Sequence, residues 1–92
     1  MLKEKTKDKL TENYLVILDK EIVNEFAASL GAAFFRYLQN NNITDENHPV
    51  AIIERDIARI QNKVYNYTPV EVAEAMGVLK YFKDYIERLS NV

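Results

Sequence analysis

The sequence predicts an all-α fold: a three-helix bundle with a long N-terminal helix. Three observations carry this. Apolar residues recur at three- and four-residue steps in three separate stretches, the period of a helix that buries one face. Only 2 Gly and 2 Pro occur in 92 residues, too few for the many turns of a sheet-rich domain. Both prolines also stand where a helix can begin, Pro49 after a polar segment and Pro69 after Thr68.

The length suits a single helical domain over residues 1–92. Residues 1–9 carry Lys3, Lys5, Lys7 and Lys9 among Glu4 and Asp8 and read as a frayed, solvated tail. The first helix is expected from about Leu10 to Asn40. Leu15, Ile22, Val23, Phe26, Leu30, Ala33, Phe34 and Tyr37 form one broad apolar face along it. Gly31 lies inside the pattern at a cost of about 1 kcal/mol relative to Ala, which marks a bend or a close helix crossing. Asn40-Asn41-Asn42 ends the helix, because Asn tolerates the left-handed conformation. A polar loop then runs to His48.

The second helix is expected from Pro49 to about Tyr65. Its seam, Val50, Ile53, Ile57, Ile60, Val64 and Tyr67, is the clearest periodic signal in the chain. Thr68-Pro69-Val70-Glu71 opens the third helix: Thr68 caps, Pro69 takes the first position and Glu71 bonds back to the cap. Val72, Ala75, Leu79, Phe82 and Ile86 form the buried stripe of that helix, flanked by Met76, Tyr85 and Leu89, and it ends near Ser90.

The composition excludes several chemistries. Cysteine is absent, so no disulfide, thiolate nucleophile or thiolate metal site is expected. Both glycines, Gly31 and Gly77, are isolated, so no Gly-rich phosphate loop exists. No HExxH or similar metal pattern occurs. The one histidine, His48, has no partner cluster and reads as a helix cap or loop residue. No catalytic residue, metal or cofactor is predicted, and the expected role is binding. Twelve Lys and Arg against 14 Asp and Glu leave a net charge of −2, without the basic excess of a nucleic-acid binder. The longest apolar run, Tyr14 to Leu18, is far short of a membrane helix or a signal peptide, which predicts a cytoplasmic protein with no membrane partner.

That run is also more than one core can bury. Five successive helical residues point all round the axis, at 100° per residue. Tyr14, Leu18, Glu21 and Glu25 step by 4, 3 and 4 and form a second ridge, away from the core face. An aromatic, an aliphatic and two carboxylates on one ridge suit a helix that docks into a groove of another protein. The carboxylates then meet basic or anion-binding groups. Three bland readings stand beside this one: packing against a second copy of the chain, a short strand, and carboxylates that are simply solvated.

The stretch Glu21-Ile22-Val23-Asn24-Glu25-Phe26-Ala27-Ala28-Ser29-Leu30 resembles the first helix of the epsilon antitoxins, which belong to the epsilon/zeta toxin–antitoxin modules of bacterial plasmids and chromosomes. The resemblance continues through Arg36-Tyr37-Leu38-Gln39-Asn40 and through the order of three helices, with weaker echoes at Tyr67–Glu71 and Tyr81-Phe82, and covers about residues 14–90. It implies a three-helix protein that neutralises a zeta-type toxin, a P-loop kinase of UDP-N-acetylglucosamine, by covering its nucleotide site with the first helix. It also implies an antitoxin homodimer within a heterotetramer, a role in plasmid maintenance, and no DNA-binding repressor activity. By position, Tyr14 matches an aromatic of the family's inhibitory helix, and Glu21 and Glu25 match two of its carboxylates. Leu18 stands where the family has a phenylalanine, which keeps an apolar anchor and loses stacking. Residues 1–9 extend beyond the pattern.

Three alternatives compete with the antitoxin reading. A bacteriocin immunity protein is another small cytoplasmic helical bundle, and the lysine-rich tail suits it, yet no immunity motif matches as closely as Glu21–Leu30. A generic helical protein-binding module needs only the ridge. A DNA-binding regulator needs a basic recognition helix, and the third helix offers only Lys80, Lys83 and Arg88 among acids.

Overall fold

Three helices follow the three periodic stretches: α1 (Leu2–Asn40), α2 (Pro49–Lys63) and α3 (Pro69–Ser90), with a single 3-10 turn, Val64–Asn66, between the last two. The computed structural model describes residues 19–90 completely and residues 2–18 by their backbone course alone. The expected frayed tail at residues 1–9 and the core role of Leu15 fall outside the completely described residues. No strand occurs among the described residues.

Local chemistry accounts for each helix end. Asn42 sits at φ 54°, the left-handed region that Asn tolerates better than most residues. This geometry lets Ile43 N–H donate to Leu38 O at 2.9 Å and Asn42 N–H to Gln39 O at 3.2 Å, so two of the last carbonyls of α1 are satisfied. His48 is the N-cap of α2: its Nδ1 accepts from Val50 N–H at 3.1 Å. The cap occupies the acceptor nitrogen of the only histidine, in line with the structural role expected for it. At α3 the reciprocal bonds of a capping box form. Glu71 N–H donates to Thr68 Oγ1 at 3.3 Å, and Thr68 N–H donates to Glu71 Oε1 at 3.0 Å.

Packing follows the seams. α1 buries Val23, Ala27, Leu30 and Phe34, α2 buries Val50 and Ile57 with Val64 just beyond it, and α3 buries Val72, Ala75, Leu79 and Ile86. Phe34 is fully buried and meets the Phe82 ring edge-on, with centroids 6.5 Å apart at 69°. At Gly31 a Cβ would stand 3.4 Å from Ile57 Cγ2, so the glycine marks the close crossing of α1 and α2. Lys20 Nζ donates to Tyr65 O at 3.1 Å and ties α1 to the turn that follows α2. No described buried polar side-chain atom lacks a partner.

One expected core residue is not in the core. Ile22 is 52% exposed, whereas Val23 beside it is fully buried. The two differ by 100° around the helix, and the flank at Ile22 is left uncovered. Ala27, absent from the expected face, is fully buried instead. The α1 seam is therefore narrower than the apolar pattern suggests. In chemical denaturation, Val23→Ala should cost about 2 kcal/mol, from lost burial plus the cavity left behind. Ile22→Ala should cost at most about 1 kcal/mol, since half its surface is already in water.

The capping box carries a pH dependence. The Thr68 N–H and hydroxyl hold the Glu71 carboxyl below its ordinary value of 4.5. A carboxyl depressed in the folded state contributes stability that is present above the unfolded value and lost as pH falls through the folded one. Acid should therefore loosen the start of α3, and the Glu71 carboxyl should titrate below 4.5 when followed by NMR. Thr68→Ala should raise it only part of the way, because the backbone N–H of residue 68 still donates to the carboxyl, and should cost about 1 kcal/mol at neutral pH.

Candidate functional site

The core seam of α1 decides what its other face presents. At 100° per residue, Glu21 and Glu25 lie about 150° and 170° around the axis from the mean direction of Val23, Ala27, Leu30 and Phe34. Both carboxylates are exposed, one turn apart, on the side of α1 that faces away from α2 and α3. Neither forms an ion pair with a described residue; the ion pairs present are Arg59–Asp56 at 3.8 Å and Lys83–Glu87 at 3.9 Å. Two carboxylate acceptors one turn apart, without an ion-pair partner among the described residues, are thus held on one helix. Ala28 and Ala32, also exposed, continue this face with little bulk, which leaves the helix backbone open to close approach.

The ridge expected from the sequence therefore has its C-terminal half where the pattern places it. The side chains of Tyr14 and Leu18, its apolar anchors, lie outside the described residues. What Glu21 and Glu25 can do is accept hydrogen bonds. Exposed carboxylates at i and i+4 can receive N–H donors from a facing loop or a lysine, each such bond contributing about 1.5–3 kcal/mol net once desolvated.

A second concave feature lies on the neighbouring flank of α1. Phe26, Leu30 and Ala33 of α1 and Ile86 of α3 floor a groove of about 510 Å³, with Arg36 and Lys83 on its rim. Sequence reasoning missed it, because it arises from the spacing of two helices that are distant in the chain. Its one legible sign was Arg36, a lone cation within the apolar pattern of α1. Elsewhere, Tyr81 is 66% exposed on the outer face of α3. Among the described residues no group of three or more His, Cys, Asp or Glu is arranged to hold a metal ion. No described helix is long and apolar enough to cross a membrane.

The model of the bacterial epsilon antitoxin family matches residues 12–89. The match takes in the ridge, the whole of α2 and most of α1, of α3 and of the groove lining. No curated protein and no solved structure matches the chain.

Reversing both ridge charges should leave the fold intact. Glu21→Lys with Glu25→Lys should shift unfolding stability by no more than about 0.5 kcal/mol per site, measured by thermal or denaturant melts, because both sites are exposed and bonded to nothing described.

Proposed function

Because the chain belongs to the bacterial epsilon antitoxin family, we propose that it neutralises a zeta-type P-loop kinase toxin by laying the outward ridge of α1 over the toxin's nucleotide site. The observation that carries this reading is the pair Glu21 and Glu25, exposed opposite the core and without a described ion-pair partner.

The chemistry of the target makes the pair meaningful. A P-loop offers backbone N–H groups, a helix N-terminus and a lysine to the phosphates of its nucleotide. A carboxylate presented by a docked helix satisfies those same donors. Glu21 and Glu25 then stand in for phosphate oxygens, and ATP is excluded by competition. Tyr14 and Leu18 continue the ridge in the register of α1 and act as the apolar anchors, their burial contributing roughly 25 cal/mol per Å². The inhibition needs no bond-making or bond-breaking by the antitoxin, hence no catalytic group and no cofactor. The setting is the cytoplasm, where the sugar-nucleotide substrate of the kinase is made. The assembly in this reading is a heterotetramer around an antitoxin homodimer, without nucleic acid or membrane.

The test uses a purified zeta-type kinase and its phosphorylation of UDP-N-acetylglucosamine. The wild-type chain should abolish turnover at stoichiometric ratio. The Glu21→Lys, Glu25→Lys variant, folded by circular dichroism, should bind at least about 100-fold more weakly, the loss of two charge-assisted bonds. Undiminished inhibition by the folded double variant contradicts the docking model.

A further inference from the structure

We propose that the groove between α1 and α3 is a second part of the docking surface, and that it receives an apolar side chain and a neighbouring acidic residue from the same toxin. The proposal rests on the toxin-docking reading above and adds residues that reading does not use.

Position is the first argument. Ser29 and Arg36 on the groove lie about 40° and 20° around α1 from Glu25, and roughly 6 to 16 Å further along its axis. A protein surface seated on Glu21 and Glu25 therefore meets the groove without leaving α1. Ile22, half exposed, lies about 60° around α1 from Glu25 and one turn before Phe26 of the groove, so it adjoins both. Its exposed half is open to a surface seated on α1.

Charge is the second argument. The ridge is acidic, whereas the groove rim carries Arg36 and Lys83. Lys83 is partnered by Glu87 at 3.9 Å, and Arg36 forms no ion pair with any described residue. A partner that offers anion-binding donors to the ridge must change sign along α1 and offer an acceptor at Arg36, whose planar fork suits a carboxylate. Such a change of sign sets the direction and register of the bound helix, a task that the apolar anchors alone perform poorly. The third argument is the floor. Phe26, Leu30, Ala33 and Ile86 line a concavity of about 510 Å³, a size typical of clefts that bury a ligand's apolar part. An apolar side chain entering there provides a buried anchor with a charged neighbour, the usual make-up of an interface hot spot.

Two exposed substitutions test this without touching the core. Arg36→Glu reverses the rim charge, and Ser29→Trp lays a large side chain across the groove. Toxin affinity is measured by calorimetry for each, beside the Glu21→Lys, Glu25→Lys variant, with melting curves and sedimentation of the free proteins as controls. Both groove variants should stay folded and weaken toxin binding by roughly tenfold each. If they bind like wild type while the ridge variant fails to bind, the groove proposal is overturned and toxin docking stands. If the ridge variant also binds like wild type, the docking reading itself fails and the groove proposal falls with it. If the groove variants change only the self-association of the free chain, the occupant is a second copy, which also overturns the proposal.

Discussion

Both other helices of this molecule pack against one seam of α1, and that seam is built from four residues. Val23, Ala27, Leu30 and Phe34 are the only positions on the described part of α1 that are fully or nearly fully buried. Small residues line this seam: Gly31 faces Ile57 of α2, 3.4 Å from where its Cβ would stand, and Ala27 is fully buried. Phe34 supplies the bulk at the centre, with the edge-on Phe82 ring of α3 beside it. The orientation of α1 about its own axis is fixed by these contacts. Turning it by one residue would carry Val23 and Leu30 toward water and bring Asn24 or Ser29 toward the core, which costs burial and desolvates a polar side chain.

From that orientation the proposed docking surface follows. A helix held on one side by two partners must present its other side to whatever comes next. Here that side carries Glu21 and Glu25, then the small side chains of Ala28 and Ala32, with Arg36 and the groove just around the flank. The ends of the helices are secured by local means, through the Asn42 turn, the His48 cap and the Thr68–Glu71 box, none of which draws on the outward face. Stability and recognition are therefore separable on α1. An inhibitor that works by occupying a site has only to be rigid and complementary, and a helix with one buried and one free face meets both conditions.

Much of this was legible in the sequence, for reasons that can be stated residue by residue. The α2 seam from Val50 to Tyr67 was readable because large aliphatic or aromatic residues recur there at strict three- and four-residue steps. The start of α3 was readable because Thr68, Pro69 and Glu71 act within a single turn, where local chemistry decides. Glu21 and Glu25 were readable as outward because their phase opposes the strongest apolar positions. Ile22 was not readable. Its hydrophobicity equals that of Val23, and only the placement of α2 and α3 shows which of the two is covered. Ala27 was passed over for the opposite reason, since alanine carries little hydrophobic signal and is nonetheless fully buried. The groove between α1 and α3 has no local signature at all, because it is a property of interhelical distance.

The central claim is that α1 occupies the place of the toxin's nucleotide. Its most direct test is a competition measurement on the assembled complex: a fluorescent ATP analogue titrated into the free kinase and into the kinase saturated with this chain. The account predicts that the free kinase binds the analogue and the complex does not, and that excess ATP slows formation of the complex in proportion to its occupancy. Equal binding of the analogue by the complex and by the free kinase would contradict the account, and would place the antitoxin away from the phosphate site.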